Sequence, residues 1–249
     1  MADHSSIQWT EATWNPVTGC SKVSAGCANC YAERLALRLQ AMGNASYRNG
    51  FKVTLHERML GLPRTWKRPR KIFVNSMGDL FHERVPFGFI LRVFEAMQAC
   101  PQHQFQILTK RSKRLRQLAH LLPWPDNVWM GVTVEDGRVV SRIDDLRTVP
   151  AKIRFLSCEP LISDVGHLDL AGVHWVIVGG ESGPGAREMM EDWVLRIKNQ
   201  CEIVGVKFYF KQWGGVRKHL RGRKLKDRTW DDMPIAADRP ALAFPVSGT

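Results

Sequence analysis

No run of about eighteen consecutive apolar residues occurs in the chain, so no membrane-spanning helix is expected. The opening Met-Ala-Asp-His-Ser-Ser has neither a basic start nor an apolar stretch, which argues against a secretory leader. Cysteine is scarce. Six residues of this type in 249 are too few for a disulfide scaffold. No internal repeat or low-complexity tract stands out, and no glycine-rich run ends in the Gly-Lys-Ser/Thr of a phosphate loop. These absences exclude a bundle of membrane helices, a disulfide-stapled module and a P-loop nucleotidase. They leave a cytoplasmic α/β protein as the expectation.

What the chain has in excess is positive charge. Thirty-six Lys and Arg stand against 24 Asp and Glu, a formal net charge of +12. Such an excess bears on partners and not on fold, and DNA or RNA is the obvious polyanion. The charge is concentrated in residues 217–228, which carry seven basic residues and one acid. Arg217, Arg221 and Arg223 are candidates there to grip a nucleic-acid backbone; a solvated cationic face explains them nearly as well. Lys110, Arg111 and Lys211 lie at expected strand ends and would suit a phosphate, and Trp213 would stack on a base. The expected organisation is a body over 1–215 and a basic, then Pro/Ala-rich, extension over 216–249.

Short apolar runs rich in β-branched and aromatic residues recur at 71–76, 105–109, 128–134, 153–158, 174–178 and 207–211. A first strand is expected within 7–17. Helical patterns fill the intervals at 31–42, 87–99, 113–122, 135–146 and 192–203. Strand–helix alternation at this spacing predicts βα units around a parallel sheet. An open doubly wound sheet is the alternative. A partial (βα) barrel of six to seven parallel strands is favoured, because polar and glycine residues follow nearly every strand where barrel enzymes place their sites.

Three of the six cysteines crowd into Cys20, Cys27 and Cys30. Three thiolates within eleven residues can wrap one soft metal centre, and iron–sulfur clusters take cysteine ligands. With three local cysteines, one iron of a four-iron cluster lacks a protein ligand and can bind a small molecule. A zinc knuckle is the competing reading; it needs a fourth ligand, for which Cys158, His56 and His82 are candidates.

The segments from Trp14 to Cys20 and from Cys27 to Glu33 resemble a phage- and bacteria-associated group of three-cysteine, radical S-adenosylmethionine (SAM)-like proteins. The resemblance continues through Met77 to Phe81, Ser157 to Pro160, Gly179 to Gly183, Lys211 to Gly214 and Arg228 to Asp231. It implies a 4Fe-4S cluster on Cys20, Cys27 and Cys30, S-adenosylmethionine as second cofactor, a 5′-deoxyadenosyl radical, and an external electron donor of flavodoxin or ferredoxin type. Two departures stand out. The first cysteine gap is six residues where the usual radical-SAM loop has three, and Asn29 occupies the usual aromatic place before the third cysteine.

Under the same resemblance, Met77, Gly78 and Asp79 would meet the methionine part of SAM, with Asp79 on its amino group. An ordinary capped turn explains them equally. Thr133 and Glu135 would bond the ribose hydroxyls, or cap a helix. Gly179, Gly180 and Glu181 would cradle the adenine or the carboxylate end. Cys158 would donate a hydrogen atom to a substrate radical, although a buried free cysteine is the commoner case.

Overall fold

The computed structural model describes residue 5 and residues 7–235. Seven strands form one sheet: β1 (Ala12–Trp14), β4 (Lys71–Val74), β5 (Gln104–Thr109), β6 (Val128–Thr133), β7 (Ile153–Cys158), β8 (Trp175–Gly179) and β9 (Lys207–Gln212). Their order in the sheet is their order in the chain, and every pairing is parallel. A separate antiparallel hairpin joins β2 (Val17–Thr18) to β3 (Thr54–Leu55).

The sequential order decides between barrel and doubly wound sheet. Right-handed crossovers between neighbours always land on the same face, so the connecting helices collect on one side. The other face must then curl in and cover itself. β1 and β9 stand at opposite ends of the order and do not pair, so the barrel stays open.

Side-chain alternation along each strand sorts the residues onto these two faces. Outward positions such as Ile72, Val74, Ile107, Met130, Leu156, Val176 and Phe210 join the large core beneath the helices. That layer includes α2 (Phe87–Gln98), α3 (Ser112–Ala119), α4 (Arg142–Arg147) and α5 (Glu191–Val204). Inward positions form a second core of Trp9, Phe73, Trp129, Phe155, Trp175, Ile177 and Tyr209. Its rings meet mostly edge to face: Trp9 and Phe73 at 4.7 Å, Trp175 and Tyr209 at 5.9 Å. This aromatic floor closes the lower half of the barrel and leaves the C-terminal strand ends as the open mouth.

Expected and observed elements agree to within a few residues, with one displacement. The helix expected over 135–146 begins only at Arg142, because Glu135 and Asp136 are drawn into other bonds and a 3-10 turn intervenes. Parts of the basic segment pack back against the sheet. Leu225 is fully buried, Trp230 O accepts from Phe210 N at 2.9 Å, and Asp231 bridges Tyr209 along the free edge of β9. That cover protects an edge strand. The Pro/Ala-rich stretch from 236 onward lies outside the described residues.

Gly131 makes room for the floor. A Cβ there would lie 2.4 Å from the Phe155 ring. Gly131→Ala is expected to cost about 1–3 kcal/mol through overpacking, measured as a lower urea midpoint at unchanged slope.

Candidate functional site

The three cysteines occupy one loop laid across the mouth. Gly19 begins it, at φ +82 and with the site of a Cβ only 2.3 Å from Lys52 O, so a side chain is excluded there. Gly19 N donates to Met77 O at 2.8 Å, which ties the loop's start to the end of β4. A 3-10 turn spans Ala25–Cys27, and α1 (Tyr31–Ala41) starts directly after Cys30. Cys20, Cys27 and Cys30 are unpaired and partly exposed.

Charged residues from three strand ends hold this loop. After β5, Arg111 donates to Ser21 O at 3.2 Å, to Ser21 Oγ at 2.9 Å and to Cys20 Sγ at 3.4 Å. Arg111 is itself fixed by Glu83 at 2.9 Å and Asp79 at 3.5 Å. After β6, Glu135 accepts from the Ser24 hydroxyl and from Arg142 at 2.7 Å. Gly26 lies flat against it, since a Cβ there would meet Glu135 Cγ at 2.9 Å. After β8, Glu181 accepts from Asn29 at 3.0 Å and from Arg187 at 2.6 Å, while Arg187 reaches Ala25 O at 3.0 Å.

These bonds give several of the expected site residues partners within the chain. Both Asp79 oxygens are engaged, by Thr109 Oγ1 at 2.7 Å, the amides of Phe81 and Lys110, and Arg111, so neither is free for an amino group. Glu135 is fully buried and accepts from Ser24 on one oxygen and from Arg142 on the other. Glu181 is likewise spent on Arg187 and Asn29. Burial acts to raise its carboxyl, but hydrogen bonds from Arg187 and Asn29 more than offset this and hold it below the usual carboxylate range. Arg111 clamps the cysteine loop through Ser21 and Cys20. Gly180 answers to β9, because a Cβ would lie 2.0 Å from Trp213 O. Gly78 bridges Gly19, and Met77 packs under Ala32 and Ala36.

Cys158, expected as a hydrogen donor, lies in the outer layer of the sheet. Alternation sends Ser157 into the barrel and Cys158 out into the fully buried layer beneath the helices, near Cys201. Burial raises its thiol pKa, and burial pushes Cys201 up to about 12.

What faces the mouth without a partner is different. Thr133 and Ser157 are register neighbours on the inner face, and both are fully buried. Thr133 Oγ1, Ser157 Oγ and Glu159 Oε1 are buried and have no hydrogen-bond partner. The other Glu159 oxygen accepts from Lys211. Gly179 lies beside this pair: a Cβ there would touch Glu159 and Lys211 at 3.4 Å. Buried polar atoms without partners are costly, and Thr133, Ser157 and Glu159 place three of those found among the described residues at neighbouring strand ends. Ser157 and Glu159 were marked in the sequence by their strand-end position and by the resemblance over Ser157 to Pro160, whereas Arg142, Arg187 and Ser24 had no signal.

The expected nucleic-acid residues are dispersed. Lys110 is half-buried beside the mouth and Arg217 is exposed. Arg221 faces Glu188 at 3.4 Å, and Arg223 bonds Asp231 and the Tyr209 hydroxyl. Trp213 packs on Phe210 at 4.9 Å and donates to Lys224 O.

The three thiolates are the ligand chemistry an iron–sulfur cluster takes. Among the described residues no three His, Cys, Asp or Glu side chains converge as one ion requires. A four-iron cluster places each cysteine on a different iron. His56 and His82, the candidate fourth ligands, bond Thr18 at 2.8 Å and Ser21 at 2.9 Å.

Two outcomes follow. Removing one partner of a buried ion pair costs about 3–5 kcal/mol, so Glu181→Ala should loosen residues 20–30 in hydrogen exchange and lower iron uptake. The unfolded chain ionises its thiols from about pH 8.5, whereas the folded chain keeps Cys201 neutral to about 12. The stabilisation is therefore complete below pH 8.5 and lost as pH rises toward 12. Thermal midpoints of the apoprotein should fall across that interval, and fall less in a Cys158→Ala, Cys201→Ala variant.

Comparison with known proteins completes the description. No curated protein matches the chain. Among solved structures it is similar to a cysteine-to-serine mutant of spore photoproduct lyase, at TM-score 0.47 and 12% identity over 80% of this chain and 62% of that one. It is also similar to spore photoproduct lyase complexed with dinucleoside spore photoproduct, at TM-score 0.41 and 10% identity over 74% and 59%. The chain thus spans about three fifths of those lyases. A model of proteins of unknown function, DUF5131, matches residues 4–234; its description carries no phage association, and on a match of that extent the chain belongs to this family.

Proposed function

We propose that this chain is a radical SAM enzyme acting on nucleic acid. The observation that carries the reading is the joint placement of three unpaired cysteines and three unpartnered polar atoms. Strand-end charges pin the cysteine loop over the mouth of an open parallel barrel, and the polar atoms line that mouth.

Cys20, Cys27 and Cys30 would hold three irons of a 4Fe-4S cluster and leave the fourth for S-adenosylmethionine. When bound, the pair supplies one-electron cleavage of the sulfonium and a 5′-deoxyadenosyl radical. The chain's own part is to bind and shield. Thr133 and Ser157 offer hydroxyls that donate and accept, and Glu159 offers a free acceptor for a ligand hydroxyl or amine. Lys211 neutralises the other Glu159 oxygen and keeps its carboxylate turned inward. The aromatic floor of Trp9, Trp129, Phe155 and Trp175 excludes water from below.

DNA or RNA as substrate is supported by the net charge of +12 and by exposed cations such as Arg217. A soluble one-electron donor completes the scheme. Among the described residues no helix is long and apolar enough to cross a membrane.

Anaerobic reconstitution should give brown protein with about four irons per chain. Dithionite should then yield 5′-deoxyadenosine from S-adenosylmethionine, and Cys→Ser at position 20, 27 or 30 should abolish both. Colourless protein holding one zinc would overturn the assignment. Thr133→Val with Ser157→Ala removes hydrogen bonds worth about 0.5–1.5 kcal/mol each. Equilibrium dialysis should show S-adenosylmethionine affinity reduced several-fold to about a hundredfold, with iron content unchanged. Oligonucleotide binding should fall steeply with salt; salt-insensitive binding, or none, would remove nucleic acid from the reading.

A further inference from the structure

Cys20 borders a second space, which shares no residue with the patch of Thr133, Ser157 and Glu159. It is an open groove of about 610 Å³, walled by α1, by the chain between α1 and β3, and by the turn after β4. Arg48 and Lys52 line it from the second of these segments and Arg84 from the third. All three are exposed, and none makes an ion pair among the described residues. The one acid in the lining, Glu33, is paired with Lys22 at 3.4 Å. Cations from two separate segments thus share one concave space with no acid left to neutralise them.

The wall is held in place. Gln40 donates to Arg48 O at 3.0 Å, and Gly50, at φ +61, lies so close that a Cβ would meet Gln40 Oε1 at 2.9 Å. Cys20 N donates to Phe51 O at 3.1 Å, which ties the same segment to the cysteine loop. The backbone that carries Arg48 and Lys52 therefore stands at a fixed place relative to Cys20. Beside the cations the lining is apolar at Leu37, Phe51 and Val53, and Leu37 is 51% exposed. Grooves that hold single strands combine cations for the backbone with aromatic and apolar faces for the bases. A duplex is met instead by helices or ribbons that project into its own grooves, and its bases are already stacked on one another. A concave wall that offers Phe51 and Leu37 beside three cations suits bases that are unpaired.

We propose that this groove binds one unpaired strand of nucleic acid, with its phosphates on Arg48, Lys52 and Arg84 and a base against Phe51 and Leu37. This assignment rests on the nucleic-acid reading above and deepens it, because it names the form of the substrate and the path it takes past Cys20. A base inside a duplex must leave the stack before an enzyme can act on it. A strand that arrives unpaired is spared that cost. No bond forms or breaks in the groove.

The test is fluorescence anisotropy of the full-length protein with labelled oligothymidylate or oligouridylate of about 12 nucleotides, within the span such grooves cover. The parent should bind these strands with an affinity that falls with salt. It should bind a duplex of oligothymidylate and oligoadenylate more weakly. In the Arg48→Gln, Lys52→Gln, Arg84→Gln variant, affinity at low salt should drop about tenfold or more. The slope of log affinity against log salt should flatten by about 2, since each phosphate contact on a single strand contributes about 0.7. The thermal midpoint should match the parent. If the triple variant does not fold, Lys52→Gln alone carries the measurement, with a flattening of about 0.7 expected and an unchanged slope overturning the proposal. Duplex binding as tight as single-strand binding would also overturn it. So would displacement of the oligonucleotide by an equal concentration of thymidine monophosphate, which would make the groove a pocket for free nucleotide. Parent binding intact with affinity and slope unchanged in the variant sinks the groove and leaves the nucleic-acid reading standing. A parent that binds no oligonucleotide at any salt concentration sinks that reading and the groove with it.

Discussion

The site depends on a set of ion pairs that fasten a flexible loop to a rigid sheet. Asp79 with Arg111, Glu135 with Arg142, and Glu181 with Arg187 are all largely withdrawn from water. Such pairs add little net stability, since desolvation consumes most of the Coulombic gain. Their effect is positional. Each leaves further donors or acceptors aimed at the cysteine loop, and a loop held at Ser21, Ser24, Ala25 and Asn29 has lost most of its freedom before any metal arrives. Thiolates placed in advance spare a metal centre the cost of ordering them.

Burial also tunes the loop. Cys20 lies beside Asp79 and under Arg111, and burial pushes its thiol up to about 12 against the pull of the guanidinium. Ligation requires the thiolate, so loading the site releases a proton there. The same charge arrangement explains why the strand-end acids are poor ligand contacts. Their oxygens are consumed in building the site. Under the proposed function, the groups that meet a ligand are the uncharged hydroxyls of Thr133 and Ser157 and the free oxygen of Glu159.

The sheet gives the mouth its two sides. Sequential parallel order puts all crossovers outside and an aromatic floor inside, so ligands have access from the C-terminal ends. The loop then divides that access. Its inner side meets the strand ends, and Cys20 meets the cationic groove. The basic segment near the C-terminus spends much of its charge on structure: Arg223 on Asp231, Lys226 on Glu191 and Arg228 over Trp230 at 3.6 Å.

The residue order by itself determined the strands, the helices and the clustering of the cysteines. Apolar periodicity reports burial directly, and the six later strands agree with the runs at 71–76 through 207–211 to within two residues. It also marked the strand ends as the place of the site. What it did not contain was the partner of each polar side chain. Asp79, Glu135 and Glu181 read as ligand contacts because an acid at a strand end looks the same whether a guanidinium awaits it or not. Arg142, Arg187 and Asn29 lie 7, 6 and 152 residues from the carboxylates they bond. Cys158 and Ser157 are adjacent in the chain yet face opposite layers, a parity set by the register with β6 and β8. Pairing and facing arise when distant segments meet, so only the tertiary structure decided which polar groups build the site and which remain free to act in it.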